Sequence, residues 1–226
     1  MELYSVIKKW NQKVPTYFKT IVLNENVGLA NTLNEGLKVC NTPFIARMAT
    51  DDISMPDRFQ KQIEFLERNK EIDVVRTLIS EIDEETVIIN PLVKYPFTNK
   101  ELYNFFKKTD PVAHSTTMFR KSYFKKDGNY KADLHLAEDT LLWYDGFMNG
   151  CIFANLNYVG LKYRRTLDFH RRRANRKKIF ELFNYRVKVI NKNLDYGFVA
   201  DTYVFVYFCI LIAPSFVKKI AYQIFR

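Results

Sequence analysis

The chain has 226 residues, 47% apolar and 27% charged, which suits one folded domain with a sizeable core and excludes a disordered chain. Its net charge of +10 lies in the last third: residues 162–226 hold 15 Lys/Arg against 4 Asp/Glu, so residues 1–161 need no anionic polymer as partner. Cys40, Cys151 and Cys209 show no metal spacing or redox pair and are expected as reduced core thiols of a cytosolic protein. The N-terminus has neither the basic start nor the apolar core of a signal peptide. The longest apolar run, Tyr203 to Ala213, falls short of the ~20 residues that span a bilayer.

In chain order, Thr20 to Leu23 reads as a buried strand. A helix with Leu29, Leu33 and Leu37 on one stripe follows, then a strand over Pro43 to Met48. Ser54 reads as the N-cap of the next helix, with Pro56 in its first turn and Phe59, Ile63 and Leu66 on its inner face. This βαβα order predicts a parallel sheet with flanking helices. Ile72–Ser80 and Thr86–Ile89 are expected as two strands around the acidic turn Glu81–Glu85. Pro91, Pro96 and Asn99 mark a loop before a short helix over Glu101 to Lys107, and Ser115 to Arg120 is a further strand. Ala137 to Met148 is helical, Asn149-Gly150 stops it, and Cys151 to Leu156 resumes as strand.

Two acidic motifs stand out. Asp51-Asp52 occupies the turn between a predicted strand and a helix, at the carboxyl end of the strand, where open α/β sheets bind ligands. Mg²⁺ and Mn²⁺ take one or two carboxylates together with substrate phosphates, so one acid of such a pair can hold a metal while its neighbour takes a sugar hydroxyl. Taken alone, an Asp pair ahead of a helix is as easily a solvated turn that favours the helix dipole. Glu138-Asp139 forms the second motif, with Asp139 lying 87 residues beyond Asp52. It too has a plain reading as acids at a helix start, and Trp143 as a core residue.

The segments Asn26-x-Gly28-Leu29-Ala30-x-x-Leu33-Asn34-x-Gly36-Leu37, Phe44-Ile45-Ala46-Arg47-Met48 and Thr50-Asp51-Asp52-Ile53-Ser54-Met55-Pro56-Asp57-Arg58-Phe59 resemble the nucleotide-sugar-binding region of family 2 glycosyltransferases. Ala137-Glu138-Asp139-x-x-Leu142-Trp143 is similar to that family's Glu-Asp-x-x-Leu-Trp signature. His114-Ser115-Thr116-Thr117-Met118-Phe119-Arg120 and Gly128-Asn129-Tyr130 also follow the family order. The resemblance implies a GT-A fold and an inverting transfer. Asp51 would contact the ribose, with Arg47, Asn26, Gly28 and His114 also on the nucleotide-sugar. Asp52 would hold Mn²⁺ or Mg²⁺ on the diphosphate, Asp139 would be the general base, and Glu138 would hold the acceptor or orient the loop. The family usually writes Asp-Ala-Asp-Asp where this chain has Ala49-Thr50-Asp51-Asp52. His114 is equally readable as a structural histidine, and His135 and His170 have no supporting context.

The family's opening strand–helix–strand has no counterpart in this sequence, which starts at Glu2-Leu3-Tyr4 about where the family's next helix begins. That is a deficit of roughly 40–50 residues. The expected result is an N-terminally truncated, mostly parallel GT-A-like sheet with a gap and unpaired edges, over residues 1–165. Residues 166–226 are expected as a basic, aromatic helical tail suited to an anionic membrane surface: Lys162 to Lys178 hold nine Lys/Arg, and Pro214 to Tyr222 are basic and aromatic. No helix-turn-helix spacing, zinc ligands or RNA-binding aromatics point to nucleic acid. The leading expectation is transfer from a nucleotide-sugar, uridine diphosphate-linked, to a glycan or lipid-linked acceptor at the inner face of the cell membrane, in surface polysaccharide assembly. The second is an inactive remnant that only binds membrane or a partner.

Overall fold

The computed structural model describes residues 2–132, 134, 137–166 and 175–213. Eight α-helices are described: α1 (Glu2–Lys13), α2 (Leu29–Val39), α3 (Arg58–Arg68), α4 (Asn99–Phe106), α5 (Lys121–Asp127), α6 (Glu138–Met148), α7 (Arg176–Tyr185) and α8 (Gly197–Ile212). Six strands form one sheet: β1 (Phe44–Ala46), β2 (Ile53–Ser54), β3 (Val74–Ile82), β4 (Ile88–Val93), β5 (Met118–Arg120) and β6 (Phe153–Arg164). The order is β1-β5-β3-β6-β2, with β4 also paired to β3.

The long central pair, β3 with β6, is parallel, and the other pairings are antiparallel. β1, β3 and β6 therefore run one way, and the short β5, β2 and the hairpin strand β4 run against them. The α/β class with flanking helices holds, but the sheet is mixed rather than mostly parallel, and its described strands pair in one continuous order without the expected gap. Every residue of β3 is buried, because it lies inside the sheet with both faces covered. Alternation along the strands splits the core in two. Val74, Phe119 and Phe153 join Leu102, Phe106, Leu142, Trp143, Ile190, Leu194 and Ala200 on one face. Their neighbours Val75, Met118 and Ala154 join Leu66 and Ile72 on the other, with Ile63 and Phe65 of α3 packed on them.

Several local expectations are corrected. Thr20 to Leu23 is not a strand, and Ile21 and Val22 are exposed. An apolar run becomes a buried strand only when ladders satisfy its backbone; here β1 ends the sheet order, with β5 as its partner among the described residues. Ser54 lies in β2, and α3 starts four residues later with Asp57 ahead of it. The buried face of α3 is Arg58, Gln62 and Leu66, while Phe59 is exposed. β4 runs through Pro91, which a strand paired on one side tolerates. Ser115 and Thr116 belong to a 3₁₀ turn, His114–Thr116, and only Met118–Arg120 is strand. The cysteines form no disulfide, but Cys209 is exposed rather than core. His135, His170, Arg171-Arg172-Arg173 and Pro214 to Tyr222 lie outside the described residues.

Gly160, on β6, gives a direct test of how closely the central pair is packed. A Cβ there would meet the Thr77 side chain at 2.5–2.8 Å, and Thr77 is fully buried on β3. Gly160 also accepts the Met55 amide at 2.9 Å, next to β2. Gly160→Ala is expected to destabilise the protein by about 1–3 kcal/mol through overpacking. Thermal unfolding would show this as a melting temperature lower by roughly 2–4 °C per kcal/mol.

Candidate active site

The turn before β2 is held by one side chain. Arg164, at the end of β6, gives its amide to Asp52 Oδ1 at 3.0 Å and its Nε to the Asp51 carbonyl at 2.9 Å. Its Nη1 reaches the Asp83 and Glu84 carbonyls at 2.7 and 2.8 Å, and its Nη2 reaches Thr86 Oγ1 at 3.1 Å. Arg164 thus ties the acidic turn to the β3–β4 hairpin. The sequence assigns Arg164 no role, because its partners come from segments distant in the chain.

Asp52 itself is buried, and Asp51 is exposed. Asp52 Oδ2 makes no hydrogen bond of good geometry, although Ser115 lies close. Burial, chiefly, and then the neighbouring Asp51 charge push the Asp52 carboxyl above its ordinary value of 3.8, against the Arg164 amide, Ser115 and Arg47. Arg58 is completely buried beside it and donates to the Ser115 carbonyl at 2.8 Å. Burial drives the Arg58 guanidinium down to about 10, opposed by the Asp52 charge. Gln62, one turn further along α3, donates to the Thr116 carbonyl at 2.8 Å, so the inner face of α3 fixes the 3₁₀ turn.

Arg47 links this turn to the second acidic motif. Its Nη1 lies 2.5 Å from Ser115 Oγ, and its charge acts on Asp52, His114 and Tyr130. His114 Nε2 and Tyr130 Oη are 2.8 Å apart. Burial, then Arg47, hold the His114 imidazole well below 6.5, so it is a neutral ring that pairs with a hydroxyl. Tyr130 is placed by α2, whose Asn34 exchanges two 2.9 Å hydrogen bonds with its backbone. Gly128, at φ 81°, supplies the left-handed residue that ends α5 two positions earlier.

Glu138 and Asp139 stand in the first turn of α6, where the helix dipole favours negative charge. Both charges act on Tyr130, as does the opposing charge of Arg47. Thr140, next in the chain, donates to Asp110 at 2.9–3.0 Å, and Arg186 pairs with the same carboxylate at 2.8 Å. Trp143 is fully buried, parallel to Phe119 at 6.0 Å and edge-on to His114 at 5.8 Å, so it is a core residue behind the site. Hydrogen bonds thus join Arg47 to Ser115 and His114 to Tyr130, and the charges of Arg47, Glu138 and Asp139 all act on Tyr130. Asn26 and Gly28 are not joined to them by any contact among the described residues. Asn26 Oδ1 accepts the Gly28 amide at 3.1 Å ahead of α2.

No group of three His, Cys, Asp or Glu side chains gathers to hold a metal among the described residues. What the site offers is a buried carboxylate oxygen with no hydrogen bond and an exposed second acid beside it. That fits a cation completing its shell from phosphate oxygens rather than a cage made wholly of protein. A concavity of about 310 Å³ lined by Ile7, Lys8, Asn11 and Gln12 lies on α1 and shares no residue with this cluster.

Known proteins match this chain in sequence and fold. The sequence profile of Glycosyl transferase family 2 matches residues 2–128. Amylovoran biosynthesis glycosyltransferase AmsE of Erwinia amylovora is 32% identical over 204 residues, 90% of this chain and 74% of its own. UDP-Gal:alpha-D-GlcNAc-diphosphoundecaprenol beta-1,3-galactosyltransferase of Escherichia coli is 28% identical over 173 residues, 76% of this chain and 62% of its own. Among solved structures, the mannosyltransferase PcManGT from Pyrobaculum calidifontis, in complex with GDP-Man and Mn²⁺, superposes with a TM-score of 0.59 at 14% identity. That match covers 92% of this chain and 58% of the mannosyltransferase, and it shows that the fold is GT-A-like.

Proposed function

The chain belongs to glycosyl transferase family 2, and from that premise we propose that it moves a sugar from a uridine diphosphate-linked donor to a glycan or lipid-linked acceptor, inverting the anomeric carbon, in surface polysaccharide assembly. Its relatives include a glycosyltransferase of amylovoran biosynthesis and one named for a UDP-Gal donor and an alpha-D-GlcNAc-diphosphoundecaprenol acceptor. The observation that carries the reading is two separate acidic groups: a buried Asp52 whose Oδ2 makes no hydrogen bond, and the pair at the start of α6, whose charges act with that of Arg47 on Tyr130.

Asp52 would hold Mn²⁺ or Mg²⁺, which when bound neutralises charge on the leaving diphosphate. Asp51 would reach the ribose, with Arg47, Asn26 and Gly28 on the donor, and Glu138 would hold the acceptor. Asp139 takes the proton of the acceptor hydroxyl as that oxygen bonds to the anomeric carbon. The bond from that carbon to the diphosphate oxygen breaks on the opposite face, and the electron pair leaves with the diphosphate. A peripheral position at the inner face of an anionic membrane belongs to the same reading, with residues 166–226 as the attachment.

Thermal unfolding with Mn²⁺ and UDP tests it. The two together are expected to raise the melting temperature, by an amount set by the ratio of ligand to Kd, more than either does alone. No shift with UDP or GDP would favour the remnant reading.

A further inference from the structure

Most of the surface of α8 is apolar, although the helix lies on the outside of the protein. Its single charged residue, Asp201, accepts a hydrogen bond from Asn191 at 2.8 Å. Ala200 and Val204 are buried, and Phe208 stacks on Phe183 of α7 at 4.7 Å, which accounts for the inner stripe. On the outside, Phe198 is 83% exposed, Val199 66% and Phe205 55%, with Val206 beside them. Phe180 of α7, 55% exposed, continues the patch through its contact with Phe208. A helix lying in water carries polar residues opposite its buried stripe. Contiguous apolar surface rimmed by polar groups marks a contact site.

The rim is cationic. Lys108 Nζ stands 4.9 Å over the Tyr203 ring of α8, and Lys107 Nζ 5.2 Å over Tyr196 just before the helix. Arg176 and Lys177 are exposed one turn before Phe180. We propose that the outer face of α8, with Phe180 and the cations Lys107, Lys108, Arg176 and Lys177, is a docking surface for an anionic lipid bilayer. Two physical points select lipid. A two-fold contact with a second copy would bring these cations against their own kind, which disfavours that partner. The helix has 16 residues, or about 24 Å at 1.5 Å per residue, too short to cross a ~30 Å hydrocarbon core but suited to lie along its surface.

The docking surface is also fastened to the helix of the second acidic motif. Between α7 and α8, Arg186 pairs with Asp110, which holds Thr140, and Asn193 donates to Tyr144 Oη at 2.6 Å. Thr140 and Tyr144 lie one turn apart on α6. A bilayer gripping α8 would therefore hold Glu138 and Asp139 at a fixed distance from its surface. This surface rests on the membrane attachment proposed above and gives it residues, and vesicle binding can fail while sugar transfer survives.

Co-sedimentation of the full chain with vesicles of phosphatidylcholine, with and without roughly one-third phosphatidylglycerol, tests the surface. Binding to the anionic vesicles is expected to weaken with salt and to fall at least about tenfold in the double variant Phe198→Glu/Phe205→Glu. Lys108→Glu and Arg176→Glu are expected to lower it about fivefold each, with little change on neutral vesicles. The substituted side chains are exposed, so melting temperatures should hold. Should the double variant fail to fold, Val199→Glu reads the same face. Unchanged binding by the apolar variants would overturn the proposal. So would no vesicle binding together with a concentration-dependent dimer that Phe198→Glu/Phe205→Glu dissociates.

Discussion

Asp52→Asn is expected to abolish the Mn²⁺-dependent stabilisation by UDP while leaving the ligand-free protein at least as stable as wild type at pH 7. The two effects share one cause. Asp52 is buried, its Oδ1 is taken by the Arg164 amide, and its Oδ2 makes no hydrogen bond. Burial of that charge costs more folding free energy than the Arg164 amide, Ser115 and Arg47 return, which shows as a carboxyl pushed above 3.8. The sign follows from linkage: the folded state binds the proton more tightly than the unfolded state. This group's contribution is therefore fully present below pH 3.8 and is lost as pH rises through the raised folded value. Asn removes that penalty and keeps an acceptor for the Arg164 amide, but it offers a cation no negative charge. Melting curves at pH 7 should place Asp52→Asn level with wild type or up to about 4 °C above it. Near pH 4 the advantage should shrink or vanish. A ligand-free variant several degrees below wild type at pH 7 would show that Asp52 is a structural acid, and the metal assignment would fall.

How much of this was legible in the sequence depends on where each partner comes from. α2 was readable from its local stripe Leu29, Leu33 and Leu37, and the end of α6 from its Asn149-Gly150 stop. The acidic motifs were readable because their flanks recur as motifs. Three features were hidden for the same reason. The hold of Arg164 on the acidic turn depends on the Asp52 carboxylate and the Asp51 carbonyl, 112 and 113 residues away. The burial of Arg58 in place of Phe59 depends on the Ser115 carbonyl, 57 residues on. The register of β6 with β3, which carries β6 on to Arg164, depends on a parallel neighbour. The helix spacing of Phe59, Ile63 and Leu66 was real, but an arginine with a buried carbonyl to satisfy displaced its first member. Thr20 to Leu23 failed in the opposite way: its composition suits a strand, yet composition supplies no ladder. The π-helical turn Arg186–Asn191 has no residue signature, though it brings Arg186, Ile190 and Asn191 inward together.

Asp139→Asn is expected to leave the Mn²⁺- and UDP-dependent thermal shift intact and to lower sugar transfer by at least about 10²-fold, the usual contribution of a positioned general base. Asparagine keeps the shape and can still accept the Thr140 amide that Asp139 Oδ1 receives at 2.9 Å. The fold should therefore survive and the loss be chemical. Donor binding should survive because the proposed donor-side groups, Asp52, Arg47 and Asp51, are untouched. Only the proton acceptor for the incoming hydroxyl is removed. Glu138→Gln separates the two acids of the motif: its loss should appear mainly as a raised acceptor KM, since that side chain is assigned to holding the acceptor. Asp110→Asn supplies a third comparison. It weakens the pair with Arg186 at 2.8 Å and the hold on Thr140, so it should lower kcat less than Asp139→Asn and also lower the melting temperature. The pattern to look for in a transfer assay with UDP-sugars is kcat lost without stability in Asp139→Asn, KM raised in Glu138→Gln, and both kcat and stability reduced in Asp110→Asn. Full turnover by Asp139→Asn would remove it as the base and transfer that role to another group at the start of α6, with Glu138 the first to test.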